Sequence, residues 1–304
     1  MANLREISRR MSSISSTMQV TRTMEMISTA RIRKALDRAE QAAPYKDAIT
    51  NMLANVATAG FDDKQPLLER HLEEKNVLFI VIASDRGLAG GFNILLQRAV
   101  EREMGSLRTR GISSSVITCG RKPTEYFTYR KVEPAMSFVG ISSEPTMDEA
   151  DRIASYIMDG YVSRKIDRVM LLYWHAKNRV DQVQVIEQLL PISREQLMMP
   201  NKPRTPKALT EVEHELYSDY RFEPSATEVL GYLMPAYLRT VIYHALLDSA
   251  AAEHAARRRA MQSATDNAKE VLETLGRRYN RERQGAITTE LNEIIGGASA
   301  LEDN

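Results

Sequence analysis

Ser84-Asp85-Arg86-Gly87-Leu88-Ala89-Gly90-Gly91-Phe92-Asn93 is the stretch whose residue types and spacing come closest to chemistry. Three glycines directly after an apolar run can form a turn whose backbone N–H groups cradle a phosphate at a helix N-terminus. A dinucleotide site asks for G-x-G-x-x-G, and a phosphate loop for G-x-x-x-x-G-K-[ST]. Gly87, Gly90 and Gly91 fit neither spacing. The stretch therefore reads as a tight strand-to-helix turn that brings helix and sheet close. The other reactive side chains are dispersed. His71, His175, His214, His244 and His254 make no ligand pair at metal spacing. Cys119 is the single cysteine, so no internal disulfide can form, and its predicted buried strand makes it a structural thiol. Carboxylates are plentiful but make no acid–base constellation. No catalytic residue, cofactor site or metal site is expected.

Composition narrows the class further. The 304 residues carry 41 basic and 40 acidic side chains, a net charge of +1, so no global field recruits nucleic acid or an anionic membrane. A low aromatic share of 6% beside 15 methionines suits long packed helices better than a sandwich core. No run approaches the roughly 20 apolar residues of a membrane span. The start, Met1-Ala2-Asn3-Leu4-Arg5-Glu6, has no apolar signal region, so a soluble intracellular chain is expected. Charge is nevertheless uneven. Residues 1–40 hold eight basic against four acidic side chains, and residues 253–285 hold eight against five. Solvated helix faces account for this, as does a rod that meets an acidic protein surface. The neutral total and scarce aromatics speak against nucleic acid.

The ends of the chain are helical in pattern. Leu4, Ile7, Met11, Ile14 and Met18 recur at alternating gaps of three and four, a heptad seam that asks for a partner helix. Continued strictly, that frame meets Thr21, Glu25 and Ser28, while the apolar residues move to Val20, Met24 and Ile27 before recovering at Ile32, Leu36 and Ala39. A slip of the seam is expected there. The helix should run to about Thr58, with Pro44 kinking or dividing it. A second helical region is expected from near Ser225 to about Ile295, ending before Gly296-Gly297. Val229, Leu233, Ala236, Val241, Ala245 and Leu247 open its apolar face, and Met261, Ala264, Ala268, Val271, Leu275 and Tyr279 continue it. The two seams can satisfy each other as an antiparallel pair, with the second helix projecting about 20 Å beyond the first.

Between them the period changes. Val77–Ala83 is a continuous apolar run of the kind buried on both sheet faces. Helices are predicted from Gly90 to about Leu107 and from Met147 to about Val162. Strands are predicted at Ser115–Cys119, around Met136–Val139, at Arg168–Trp174 and at Val183–Leu189. This alternation argues a small α/β domain with a largely parallel sheet. A proline-rich return from Pro191 to Lys207 leads back to the helical region.

Three stretches together resemble the gamma subunit family of F-type ATP synthases. They are Thr21-Arg22-Thr23-Met24-Glu25-Met26-Ile27-Ser28-Thr29-Ala30-Arg31, the Ser84–Asn93 turn, and the C-terminal tract Met261–Ala268 with Tyr279–Leu291. Ala89 stands where many relatives carry cysteine, and Gly285 where alanine or serine is common. The resemblance implies α/β plus long helices, namely an antiparallel two-helix coiled coil with an inserted small Rossmann-like α/β domain. The coiled-coil shaft is expected to comprise residues 1–58 and 209–304, and the α/β domain residues 75–208. The family's role is the rotating central shaft that couples transmembrane ion flow to ATP synthesis or hydrolysis, the ATP chemistry itself belonging to the beta subunits. The partners so implied are the alpha and beta subunits around the shaft, the epsilon subunit and the membrane rotor c-ring. No cofactor is implied.

By the same resemblance, Arg283, Gln284 and Thr288 match positions that touch a catch loop of beta, and Met24 matches the shaft position near its acidic lever loop. The location implied is peripheral, on the cytoplasmic face of a bacterial plasma membrane. Two other readings use the same residues: a nucleotide-binding Rossmann-like protein, and a coiled-coil scaffold that dimerises through Leu4, Ile7 and Met11.

Overall fold

The computed structural model describes residues 2–59, 65–178, 181–192, 222–223 and 225–302. Two helices dominate. α1 runs over Ala2–Ala59, and the last helix, α5, over Ala226–Glu302. Between them lie β1 (Asn76–Ile82), α2 (Phe92–Thr109), β2 (Ser113–Cys119), α3 (Arg121–Tyr129), β3 (Met136–Phe138), α4 (Met147–Val162), β4 (Arg168–Ala176) and β5 (Gln182–Leu190). Pro44 does not divide α1. It is exposed, so its ring meets solvent and only one backbone hydrogen bond is forfeited. Nor do Gly296 and Gly297 end α5, since glycine weakens a helix without forbidding it. From residue 193 on, the proline-rich return and the expected boundary at 208–209 lie outside the described residues.

The chain divides into two compact units, Met1–Thr29 with Arg257–Asn304, and Ala30–Ala256. In the first, the helices are antiparallel. The Thr21 and Thr265 hydroxyls lie 2.7 Å apart, and the Met11 methyl lies 3.9 Å from where a Cβ on Gly276 would stand. An earlier residue of α1 thus meets a later residue of α5. That offset sets Ala2 level with about Gly285 and leaves residues 286–302 beyond the start of α1, about 25 Å of helix.

The seam does not slip. Thr21 and Ser28 are buried in the strict heptad frame, while Val20 is 58% exposed and Ile27 49%. Polar residues can hold these places because their hydroxyls bond within their own helix. Ser28 Oγ donates to the Met24 carbonyl at 2.8 Å and Thr21 Oγ1 to that of Met18 at 3.0 Å. A hydroxyl satisfied in this way can be buried at little cost, and its small size lets the helices approach. Farther along α5, Leu272 takes the half-buried place expected of Val271, which is exposed instead.

The second unit is built on a five-stranded sheet of order β3-β2-β1-β4-β5. β1 pairs in parallel with β2 and β4, β2 in parallel with β3, and β5 is antiparallel to β4. β1 is central, so its apolar residues alternate between two cores. Leu78, Ile80 and Ile82 face a core built with Ile153 and Ile157 of α4, Leu53 of α1 and Leu238 of α5. Val77, Phe79 and Val81 face the other, with Phe92 and Leu96 of α2 and Ala251 and Ala252 of α5. The first stretch of α5 is therefore a core helix of this unit. α3 has no counterpart among the predicted elements. It has nine residues, with Pro123 tolerated in its first turn, and two anchors, Pro123 and Phe127.

Thr21 and Thr265 give a direct test of the seam. Each hydroxyl also contacts its own helix, at Met18 and Met261, so two protons serve three contacts. Thr21→Val and Thr265→Val singly should each destabilise the full chain by about 1 kcal/mol by removing the hydroxyl contact between the helices. The double variant should cost less than the sum of the two, and a double-mutant cycle from urea unfolding measures that coupling. Strict additivity excludes a cooperative hydroxyl pair.

Candidate functional site

The turn after β1 is organised by side chains that bond inward. Ser84 is fully buried. Its backbone N–H donates to Asn93 Oδ1 at 3.0 Å, and its hydroxyl lies within reach of the Arg86 carbonyl and of Asn93 Oδ1. Leu88, at φ 62°, and Gly90, at φ 59°, turn the chain back toward α2. Next to this turn, Gly120 has φ 115°, and a Cβ there would lie 2.7 Å from the Ala83 carbonyl oxygen. Only glycine lets the end of β2 come this close to the end of β1.

That close approach assembles an anion cradle, and Asp85 fills it. Asp85 Oδ1 accepts from the backbone N–H of Arg121 at 2.9 Å and of Gly140 at 2.7 Å, and Oδ2 accepts from that of Ser142 at 2.9 Å. These donors follow β2 and β3 at the carboxyl ends of the strands, the crevice where open α/β sheets bind ligands. Here a carboxylate of the chain itself takes three backbone donors at that edge. Burial alone would raise the Asp85 pKa, but the bonds from Gly140, Ser142 and Arg121 outweigh it and hold the group below its ordinary value. Two further carboxylates tie backbone at the ends of β4. Asp167 accepts from the Lys75 and Asn76 N–H groups at 2.8 Å each and bonds His71 at 2.7 Å. Asp248 bonds His175 and accepts from Ala176 N–H at 3.1 Å. Spacing gave no hint of these pairs, since 96 and 73 residues separate the partners.

Cys119 is fully buried, and that burial pushes its thiol far above the ordinary range, so it is not poised as a nucleophile. Among the described residues, no group of three or more His, Cys, Asp or Glu side chains could hold a metal ion. Nor is any helix among them long and apolar enough to cross a membrane.

The sequence-predicted contact residues fall in two places of the paired-helix unit. Arg283, Gln284 and Thr288 are exposed near the start of the α5 overhang, and Thr288 Oγ1 donates to the Gln284 carbonyl at 2.9 Å, one turn back. Met24 is half-buried, one place beside the Thr21–Glu25–Ser28 line of the seam rather than on it. The helix offset sets Met24 level with about Gln262, roughly 30 Å of α5 from Arg283, so the four residues do not lie together in one place.

A chain whose first and last helices pair in antiparallel, and whose intervening sequence makes a five-stranded sheet, belongs to the class of mixed α/β proteins with long N- and C-terminal helices. Comparison with known proteins specifies it. The ATP synthase family model matches residues 3–301. The ATP synthase gamma chain of Stenotrophomonas maltophilia is 38% identical over 301 residues, covering 99% of this chain and 100% of the relative. That of Chlorobaculum tepidum is 39% identical over 305 residues, covering 99% of each. In fold, the chain is similar to one from the Euglena gracilis mitochondrial ATP synthase rotor, with a TM-score of 0.64 at 16% identity over 94% of this chain and 99% of that one. A chain from the Tetrahymena thermophila central stalk and c-ring gives 0.58 at 23% identity over 81% and 99%. The chain belongs to the ATP synthase gamma chain family.

Asp85 sets an acid-sensitivity test. A carboxylate with a depressed folded pKa contributes stability that is complete above its unfolded pKa, about 3.9, and is lost as pH falls through the lower folded value. Asp167 is also held low: burial pushes it up, but bonds from His71, Lys75 and Asn76 outweigh that. Asp85→Asn sets an amide NH2 against at least one of the three backbone N–H donors. At pH 7 it should destabilise the chain by about 1–3 kcal/mol. Between pH 5 and 2 the gap to the wild type should narrow, because only the wild type loses the Asp85 contribution. Melting curves across that range check both signs.

Proposed function

We propose that this chain is the central rotor shaft of a bacterial ATP synthase, peripheral on the cytoplasmic face of the plasma membrane, and non-catalytic by itself. The alpha and beta subunits surround the helical pair, and the epsilon subunit and membrane c-ring engage the α/β unit. Ion flow turns the ring, and the shaft drives the beta sites through their cycle.

One observation carries the reading: α5 continues past the start of α1 with Ile287, Leu291, Ile294 and Ile295 all exposed, Ile294 at 62%. An apolar stripe of this kind marks a face that a partner surface covers. The spacing of Gly87, Gly90 and Gly91, which fits neither a dinucleotide site nor a phosphate loop, supports the non-catalytic part. The pairing of α1 with α5 inside one chain weighs against a scaffold that dimerises through Leu4, Ile7 and Met11.

Affinity capture of the tagged chain from cells should bring alpha and beta subunits with it, and failure to do so defeats the reading. Calorimetry of the purified chain with ATP should show no binding at micromolar concentrations. Met24 is proposed to lie near the acidic lever loop of beta. Met24→Lys adds a cation there, and the resulting ion pair deepens one rotary state alone. Membranes carrying it should keep most of their ATP hydrolysis while ATP-driven ion pumping falls. Arg283→Ala and Gln284→Ala remove contacts to the catch loop and should lower turnover itself. An unchanged ratio of pumping to hydrolysis in Met24→Lys removes that role from Met24.

A further inference from the structure

A cleft of about 630 Å³ opens between α2 and α3, at the amino end of β2 and thus at the opposite end of the sheet from Asp85. Its floor is apolar, with Met104, Ile112, Phe127 and Val132. One wall is held rigid by a small network. Tyr126 Oη donates to Glu101 Oε2 at 2.7 Å, and Arg130 Nη1 lies 3.0 Å from Glu101 Oε1. The Arg130 guanidinium also stands 5.4 Å from the centre of the Tyr126 ring. Glu101 therefore neutralises Arg130. Arg108, at the other side of the cleft, has no carboxylate partner among the described residues.

Gly105 carries the argument further. It sits in the interior of α2, where glycine is the poorest helix former after proline. Its backbone is ordinary helix, and a Cβ there would meet nothing within 4 Å. Neither conformation nor packing asks for glycine at this place, yet the residue lines the cleft. A side chain there would project into the open volume. The position is explained if that volume has an occupant.

We propose that this cleft is a binding site for a monoanionic aromatic amphiphile, its flat apolar body lying over Met104, Ile112 and Phe127 and its carboxylate on Arg108. The volume lies within the ~300–1,000 Å³ of small-molecule sites, and an apolar lining with one convergent polar group is their usual composition. Arg108 supplies a planar fork that matches a carboxylate. The Tyr126 ring adds an aromatic edge to the wall.

Isothermal titration of the purified full chain with 2-naphthoate, decanoate and neutral 2-naphthalenemethanol tests this. The expected result is saturable 2-naphthoate binding at one site, with decanoate at least fivefold weaker. Arg108→Gln should weaken 2-naphthoate about tenfold and leave the neutral alcohol unchanged, which separates a salt contact from general stickiness. Gly105→Leu should abolish binding of both naphthyl probes. Because Leu is the better helix former, this variant should melt no lower than the wild type, so lost binding cannot be lost folding. Absence of saturable binding overturns the proposal, as does binding that both variants leave unchanged. Decanoate binding as tight as 2-naphthoate overturns the aromatic assignment.

Discussion

A helix of 58 residues and one of 77 cannot stand on propensity alone. Each must bury a continuous strip along its length, because most helical stability in proteins comes from tertiary packing. The chain meets this constraint in two different ways. Inside the α/β unit, the first stretch of α5 lies against the sheet and contributes Leu230, Met234, Leu238 and Ile242 to the core beneath α4. In the paired-helix unit no sheet is available, and the two helices bury each other. The composition of α5 changes accordingly, from Leu and Met in the sheet core through the alanine tract at 250–256 to a narrow heptad strip. One helix therefore serves two kinds of packing without interruption.

The sheet obeys a second constraint. Parallel strands end with their carboxyl edges open, and in a Rossmann-like domain that edge usually awaits a phosphate. Asp85 closes it from within, joining the segments after β1, β2 and β3 through three backbone bonds. The loop so fixed also contains Glu144, which meets Lys34 at 3.0 Å and Arg38 at 3.3 Å on α1. Those contacts are exposed and individually weak. Together with the apolar contacts of Ile49, Leu53 and Val56 they fasten the sheet unit to α1 along much of its length within that unit. The carboxyl edge of the sheet is thus tied by the chain's own side chains.

Much of this was legible in the residues. The long end helices, the strand order of events along the chain and the βα turn all follow from periodicity, and β1 was conspicuous because a central strand needs apolar residues on both faces. The failures are equally physical. Hydropathy moves the seam away from Thr21 and Ser28 because it counts a hydroxyl as polar, whereas a hydroxyl bonded to its own helix carbonyl is satisfied and can be buried. α3 escaped because Gly120 and Pro123 look like turn residues, and here one opens the helix and the other sits in its first turn. Asp85 looked like turn punctuation because the three N–H groups it binds are invisible in any residue type. The His71–Asp167 and His175–Asp248 pairs depend on chain crossings that no local spacing records.

The α5 overhang has a thermal consequence. Residues 286–302 grow from a helix already formed, so they carry no nucleation cost, yet each added turn gains little more than its own backbone bonds. Such a segment melts from its tip inward, and its helical length shortens smoothly with heating instead of vanishing at one temperature. Any surface that grips the tip must order the last turns as it binds, which lowers the affinity per unit area while keeping the contact reversible. An end that is gripped without being glued can turn within its seat.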